Sequence, residues 1–192
     1  MGICAGCGPR AERISVPSFS PSSAATKALK LFDENGNSTI EGAELTNCPS
    51  LLMALPRIDQ DGDGKLTHDE ISARIGTYNT FGIGLSSLTC VVTLDGQPLS
   101  GAQIRFEPEE FMLGSISPAV GDTDGSGRVS PRKEGSEYNA LQVGMYRVRV
   151  SRKEGDAETL PAQFNTESKW GLEVAPDVPG QERGFTLELK SH

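Results

Sequence analysis

Histidine is scarce in this 192-residue chain: His68 and His192 are the two. Aromatic residues are scarce too, at 6% with one tryptophan. Histidine is the commonest general base near neutral pH, so its scarcity removes most acid–base and nucleophilic chemistry. No Ser/His/Asp or Cys/His set, Gly-rich phosphate loop or zinc set can be assembled, and the chain is not expected to be an enzyme. Four cysteines, Cys4, Cys7, Cys48 and Cys90, are too few and too scattered for a disulfide framework. No apolar run approaches the length that spans a bilayer. Positive charge is in deficit, 18 Lys and Arg against 26 Asp and Glu, for a net charge of −8. With a pI near 4.8, the chain is not expected to bind nucleic acid or an anionic membrane through its charge.

Acid at regular spacing is what the chain does have. Residues 59–70 read DQDGDGKLTHDE, with oxygen donors Asp59, Asp61, Asp63, Thr67 and Glu70 at loop positions 1, 3, 5, 9 and 12. Gly64 stands at position 6, where the backbone must turn sharply, and Leu66 at position 8. A hard cation such as Ca2+ takes six to eight oxygens, so alternate residues of a tight loop must face inward. Lys65 is expected to give its backbone carbonyl, and Glu70 both carboxylate oxygens. This is the spacing of the EF-hand calcium loop. A solvated acidic turn between helices is the plainer alternative.

A second copy lies upstream, DENGNSTIEGAE at 33–44. Asp33, Asn35, Asn37, the Thr39 carbonyl, Glu41 and Glu44 take the same six roles, and Ile40 matches Leu66. Paired loops of this kind bridge at position 8 as a short ribbon. Ser38 replaces glycine at position 6, which costs energy at positive φ. Three acidic donors replace four, so the field on an ion is weaker. A loop that merely holds its partner is the alternative here.

At the start, the order Ala5-Gly6-Cys7 resembles the end of a bacterial lipobox, which implies a lipid anchor at Cys7 and an extracytoplasmic protein. A Cys4–Cys7 redox or zinc pair is the rival, although no second pair completes a site. Myristoylation at Gly2 lacks the required Ser or Thr, since position 6 is Gly6. Residues 8–23, with Pro9, Pro17 and Pro21, read as an extended tether. A helix capped near Ser22 or Ser23 follows, with Ala25, Ala28, Leu29 and Phe32 on one face. Between the loops, Pro49 opens a brief helix carrying Leu51, Leu52 and Leu55, and Pro56 must end or distort it. Thr67-x-x-Glu70 forms a capping box for the next helix, which buries Ile71 and Ile75 and stops at Gly76.

Beyond residue 86 the apolar period falls from 3.6 to 2. Leu88, Cys90, Val92 and Leu94 alternate with Thr89, Val91 and Thr93, and Ala102, Ile104 and Phe106 alternate in the next strand. Further strands are expected at 128–130, 145–150, 172–175 and 185–189, with Tyr146, Val148, Val150, Phe185, Leu187 and Leu189 facing inward. Evenly spaced short strands predict an antiparallel β-sandwich. Cys90 is expected to be a small buried hydrophobe. The apolar loop 110–118, with Phe111, Met112 and Leu113, either folds onto the sandwich or touches a partner. Residues 122–127, DTDGSG, read as a tight hairpin rather than a third ion loop.

The segments VVTLDGQPLSGAQIRFEPE (91–109), GDTDGSGRVS (121–130), LQVGMYRVRVSRKEG (141–155), LPAQFN (160–165) and GFTLELKS (184–191) follow the order of carboxypeptidase regulatory-like, transthyretin-type domains. The resemblance spans about 100 residues; Val143 stands where that family usually has proline. It implies an extracytoplasmic structural or binding module, of the kind carried by bacterial lipoproteins. A transthyretin-type hydrolase would need histidines within the sandwich, and none is there.

The expectation is therefore an α+β chain of two domains. Residues 1–22 are a tether with a lipobox, 23–76 an EF-hand pair, 77–86 a linker, and 87–191 an Ig-like or transthyretin-like β-sandwich. The expected function is a calcium-binding extracytoplasmic structural or adhesion module of the cell envelope, or a secreted one, in which two Ca2+ ions rigidify the helical domain. The alternative is a module for a surface glycan or protein, with calcium only structural; Trp170 exposed beside Tyr138 or Tyr146 would favour it. An enzyme accessory domain is a third reading. Calcium sensing needs an apolar groove opened by the ion, and the short inter-loop segment leaves little room for one.

Overall fold

The computed structural model describes residues 17–82 and 84–191. The Cys4/Cys7 segment and most of the expected tether lie outside the described residues.

Four helices form the first half: α1 (Pro21–Phe32), α2 (Ala43–Asn47), α3 (Pro49–Ile58) and α4 (His68–Tyr78). The expected apolar face of α1 is present, with Ala25 and Ala28 fully buried and Leu29 and Phe32 packed against the core. Its start differs from expectation. Pro21 occupies the first turn, where its missing N–H costs nothing, and Ser22 lies inside the helix. The tether also ends sooner, because Phe19 is buried against Tyr78, ring centroids 5.5 Å apart. Asn79 Oδ1 accepts the Phe19 N–H at 3.1 Å.

Pro56 neither ends nor excludes α3, which runs two residues further. The cost is limited because the helix stops there anyway, the Asp59 N–H bonding Leu55 O at 2.9 Å. Leu51, Ala54 and Ile58 make its buried face, whereas Leu52 is exposed. The Thr67/Glu70 capping box opens α4 as expected. Gly76 is not its stop, for the helix continues to the buried Tyr78. The two acidic loops meet through β1 (Thr39–Glu41) and β2 (Lys65–Thr67), antiparallel with Ile40 opposite Leu66.

The second half contains β3 (Leu85–Ser86), β4 (Cys90–Leu94), β5 (Gln97–Pro98), β6 (Gln103–Pro108), β7 (Ala119–Asp122), β8 (Arg128–Val129) and β9 (Arg132–Lys133). After these come β10 (Leu141–Gln142), β11 (Gly144–Ser151), β12 (Lys153–Glu154), β13 (Ala157–Glu158), β14 (Trp170–Val174) and β15 (Phe185–Leu189). One sheet has the order β14-β11-β6-β7-β9; the other is β15-β4-β5, with β8 also on β4. Cys90, Val92, Leu187 and Leu189 from the second sheet and Ile104, Phe106, Val148 and Val150 from the first are buried. The rings of Phe106 and Phe185 meet edge to face across the layers at 6.4 Å. The architecture is α+β, a β-sandwich with a small helical part.

Three details depart from the expected pattern. The sandwich is not wholly antiparallel, since β15 pairs with β4 in parallel. The chain returns to Thr89 through Gly184, at φ +78, where a Cβ would lie 2.3 Å from Thr89 O. Strand β7 was not foreseen, its AVGD sequence being too short and glycine-interrupted to show alternation. Segment 77–86, expected as a linker partly packed rather than free, is divided between elements: α4 takes its first two residues, and Leu85–Ser86 pair with Leu141–Gln142. Phe111 and Met112 are buried, with Phe111 against Phe32 of α1 at 6.4 Å, so the apolar loop packs at the junction of the halves. Buried residues of both halves form one continuous cluster.

Candidate metal centre

The two acidic loops are built alike. In the 59–70 loop, Asp59 Oδ1 accepts the Gly62 N–H at 2.7 Å and Oδ2 the Gly64 N–H at 2.9 Å. Asp61 and Asp63 each accept an N–H two residues on, from Asp63 at 3.2 Å and Lys65 at 2.8 Å. These local bonds hold the side chains in place, and Gly64, at φ +79, makes the turn between them. Carboxylate oxygens of Asp59, Asp61 and Asp63 lie within 4.8 Å of one another. Among the described residues this is the one cluster of three or more His, Cys, Asp or Glu with converging ligand atoms.

Glu70 closes the loop from the first turn of α4. Its Oε1 accepts the Gln60 N–H at 3.0 Å, and its Oε2 the Thr67 N–H at 2.9 Å and the Thr67 hydroxyl at 2.7 Å. Burial pushes the Glu70 carboxyl up, but the Thr67 and Gln60 donors outweigh it and hold the carboxyl below its ordinary value. His68 is turned away, its Nδ1 on Asp69 Oδ1 at 2.9 Å and its Nε2 near Ser22 Oγ at 3.2 Å. Lys65 reaches Glu41 Oε2 at 2.8 Å, across the ribbon, rather than any acid of its own loop.

The 33–44 loop repeats this with weaker chemistry. Asp33 Oδ1 accepts the Gly36 and Asn37 N–H groups and Oδ2 that of Ser38, while Glu44 accepts from Glu34, Asn35 and Glu41. Ser38 sits at φ +67, where Gly64 sits in the other loop, so a side chain bears the left-handed strain. Asn35 and Asn37 replace two carboxylates; Asn35 Oδ1 accepts the Asn37 N–H at 2.9 Å, and Asn37 Oδ1 accepts the Thr39 N–H at 2.9 Å and the Thr39 hydroxyl at 2.7 Å. Glu41 is engaged twice, by Lys65 and by Asn37 Nδ2 at 2.8 Å. Lys65 is the chief reason its carboxyl lies below the ordinary range.

All these donors are oxygens, which suits a hard cation and not zinc or copper. Three carboxylates this close repel one another, by about 1 kcal/mol per pair even in bulk water. A divalent cation would reverse that sign. The residues present thus fit Ca2+.

Elsewhere, residues 122–127 form a tight turn, with Asp124 Oδ1 accepting from the Ser126 N–H and Oγ and the Arg128 N–H; it is not the expected hairpin, because β7 and β8 on either side of it lie in different sheets. Cys48 and Cys90 are free and buried, and burial pushes each thiol up to about 12, which makes both poor nucleophiles. Of the rings that would make an aromatic platform, Tyr138 is exposed, Tyr146 is fully buried with its hydroxyl on Gln142 O at 2.8 Å, and Trp170 is partly buried against the core.

Sequence reasoning missed a buried ionic cluster where the halves meet. Glu173 of β14, fully buried, accepts from Arg57 Nε at 2.7 Å, Arg74 Nε at 2.5 Å and the Tyr78 hydroxyl at 2.6 Å. Arg74 also holds Asp177 through both terminal nitrogens, at 2.7 and 2.9 Å. The available signal was a glutamate set among the apolar residues of WGLEV, a strand that the structure buries at four consecutive positions. A strand covered on both faces can keep a carboxylate only if cations meet it.

No family model matches the chain, and no curated protein matches it. Among solved structures, a DUF3823 family protein from Parabacteroides merdae ATCC 43184 aligns over 55% of this chain and 44% of its own, at 17% identity and a TM-score of 0.30. The match spans less than half of that chain, and likeness of this size carries no conclusion about fold or function.

Proposed function

We propose that this is a calcium-binding structural or adhesion module, in which two EF-hand-type loops hold Ca2+ and stiffen the helical half against the sandwich. The observation that carries the reading is the convergence of Asp59, Asp61 and Asp63 in a loop closed by Glu70. The back-to-back ribbon with the 33–44 loop supports a pair of sites rather than one. A structural role is favoured over sensing because the buried apolar residues of the helices already belong to the same core cluster as those of the sandwich. The sequence resemblance to carboxypeptidase regulatory-like domains supports an extracytoplasmic setting. Anchoring at Cys7 belongs to the same proposal and rests on the Ala-Gly-Cys sequence alone.

Calorimetry on the full chain tests this. Two Ca2+ per chain are expected, the 59–70 loop binding more tightly, with Kd on the order of micromolar to millimolar. No Ca2+ heat, or an equal response to Mg2+, would overturn the reading. Addition of Ca2+ is expected to raise the midpoint of unfolding without exposing apolar surface to a dye.

A further inference from the structure

We propose that Glu173 is a positioning residue for the 59–70 ion loop, acting through Arg57 and Arg74 although it lies in the sandwich. The inference rests on reading that loop as a Ca2+ site. An ion held by residues 59–70 must fix the end of α3 relative to the start of α4, because those helices carry the two ends of the loop. Arg57 is in the last turn of α3, two residues before Asp59. Arg74 lies one turn beyond Glu70 on α4. Both guanidiniums converge on one carboxylate, Arg57 on Glu173 Oε2 and Arg74 on Oε1, with Tyr78 adding its hydroxyl to Oε1. Glu173 therefore joins the two helices at their sandwich side, and the ion joins them at their loop side.

The carboxylate is itself held in register. It projects from β14, which pairs with β11 through Met145 opposite Glu173. The α3 backbone lies directly on the same strand, since a Cβ on Gly171 would come 2.1 Å from the Pro49 carbonyl carbon. A rigid strand thus presents the acid to both helices at once. The 33–44 loop lacks this arrangement. Among the described residues, no charged side chain of α1 or α2 is ion-paired with the sandwich; Arg147 of β11 meets α2 at the Asn47 backbone oxygen, at 2.8 Å, and pairs with Glu109 of the sandwich itself, at 3.8 Å.

Two linked equilibria must influence each other equally, so loss of the Glu173 contacts must show as weaker ion binding, and ion binding as a tighter junction. The loops are separated by Glu44→Gln, which leaves the 59–70 loop to be titrated, and by Glu70→Gln, which leaves the 33–44 loop. Calorimetry with Ca2+ on full chains carrying Glu173→Gln in each background is expected to show about fivefold or greater weakening at the 59–70 loop. The 33–44 loop should change by less than about twofold, as for sites without shared partners. Unchanged affinity at the 59–70 loop, or equal weakening at both, overturns the inference. Asp177→Asn, which removes one partner of Arg74 and leaves Glu173 in place, should shift the same loop in the same direction by less.

The wild-type chain supplies the reciprocal measurement. Added Ca2+ should slow amide exchange at residues 171–177 of the sandwich, and unaltered exchange there overturns the inference even if Glu173→Gln does not fold. A wild-type chain that binds no Ca2+ defeats the calcium reading itself; one that binds while Glu173→Gln titrates identically defeats only the role of Glu173.

Discussion

Side-chain direction separates the acidic-loop residues that should matter to the proposed ion site from those that should not. Glu70→Ala removes both closing oxygens, one charge and the loop's bond to Gln60, and should weaken Ca2+ binding at its loop by more than about tenfold, or 1.4 kcal/mol. Asp59→Ala should come next, because Asp59 also organises the Gly62 and Gly64 amides. His68→Ala should leave affinity alone, its ring being engaged by Asp69 and Ser22. Lys65 is the instructive case. Its side chain neutralises Glu41 of the other loop, so Lys65→Ala should spare the 59–70 loop and strengthen the 33–44 loop by freeing that carboxylate. Titrating the four variants by calorimetry checks the order; equal losses from His68→Ala and Glu70→Ala would mean the loop register is wrong.

Contact between elements is decided by a few positions where backbone meets backbone. Strand β14 has Gly171 where α3 begins, and an added Cβ would lie 2.1 Å from Pro49 C and 2.2 Å from Ser50 N. Neither neighbour is a flexible side-chain tip, so the strand or the helix must move. Gly171→Ala should destabilise by roughly 2 kcal/mol or more, lowering Tm by about 5 °C or more for a chain of this size. A thermal melt with unchanged midpoint would show that the helical half does not rest on β14. Near this contact Cys48 and Ser50, 3.7 Å apart at Sγ and Oγ, lie beside the buried Glu109. Burial raises the Glu109 carboxyl above its ordinary value, although Arg147 and Ser50 oppose it.

For the molecule as a whole, the junction charges give stability a direction with pH. The hydrogen bond from Arg74 holds the Asp177 carboxyl below its ordinary value of 3.8. The unfolded chain then takes up this proton at higher pH than the folded one, so the contribution is complete above about pH 4 to 5 and is lost as pH falls through the lower folded value. Asp177 is half exposed, and its share is small. Wild type should melt slightly above Asp177→Asn at pH 6, with the gap narrowing as pH falls below 3.8. A gap constant across that range would show that Asp177 acts by packing. Glu109 has the opposite slope: its contribution is complete below its ordinary 4.5 and is lost as pH rises through the raised folded value.

The acidic loops could be read from the sequence because their chemistry is local. Spacing fixes which side chains share one turn of backbone, and the Asp59 and Glu70 hydrogen bonds span at most ten residues. The apolar faces of α1, β4, β6, β11 and β15 were legible for the same reason, since period alone assigns them. Pairing and docking were not. Nothing in FTLEL says that β15 runs parallel to β4, because alternation is the same in either direction. The Glu173 cluster joins residues 95–116 positions apart, and Asp177 lies 103 from Arg74. Such a contact leaves no period in the sequence; it exists because a buried carboxylate must find cations, and only the packed fold decides which ones reach it.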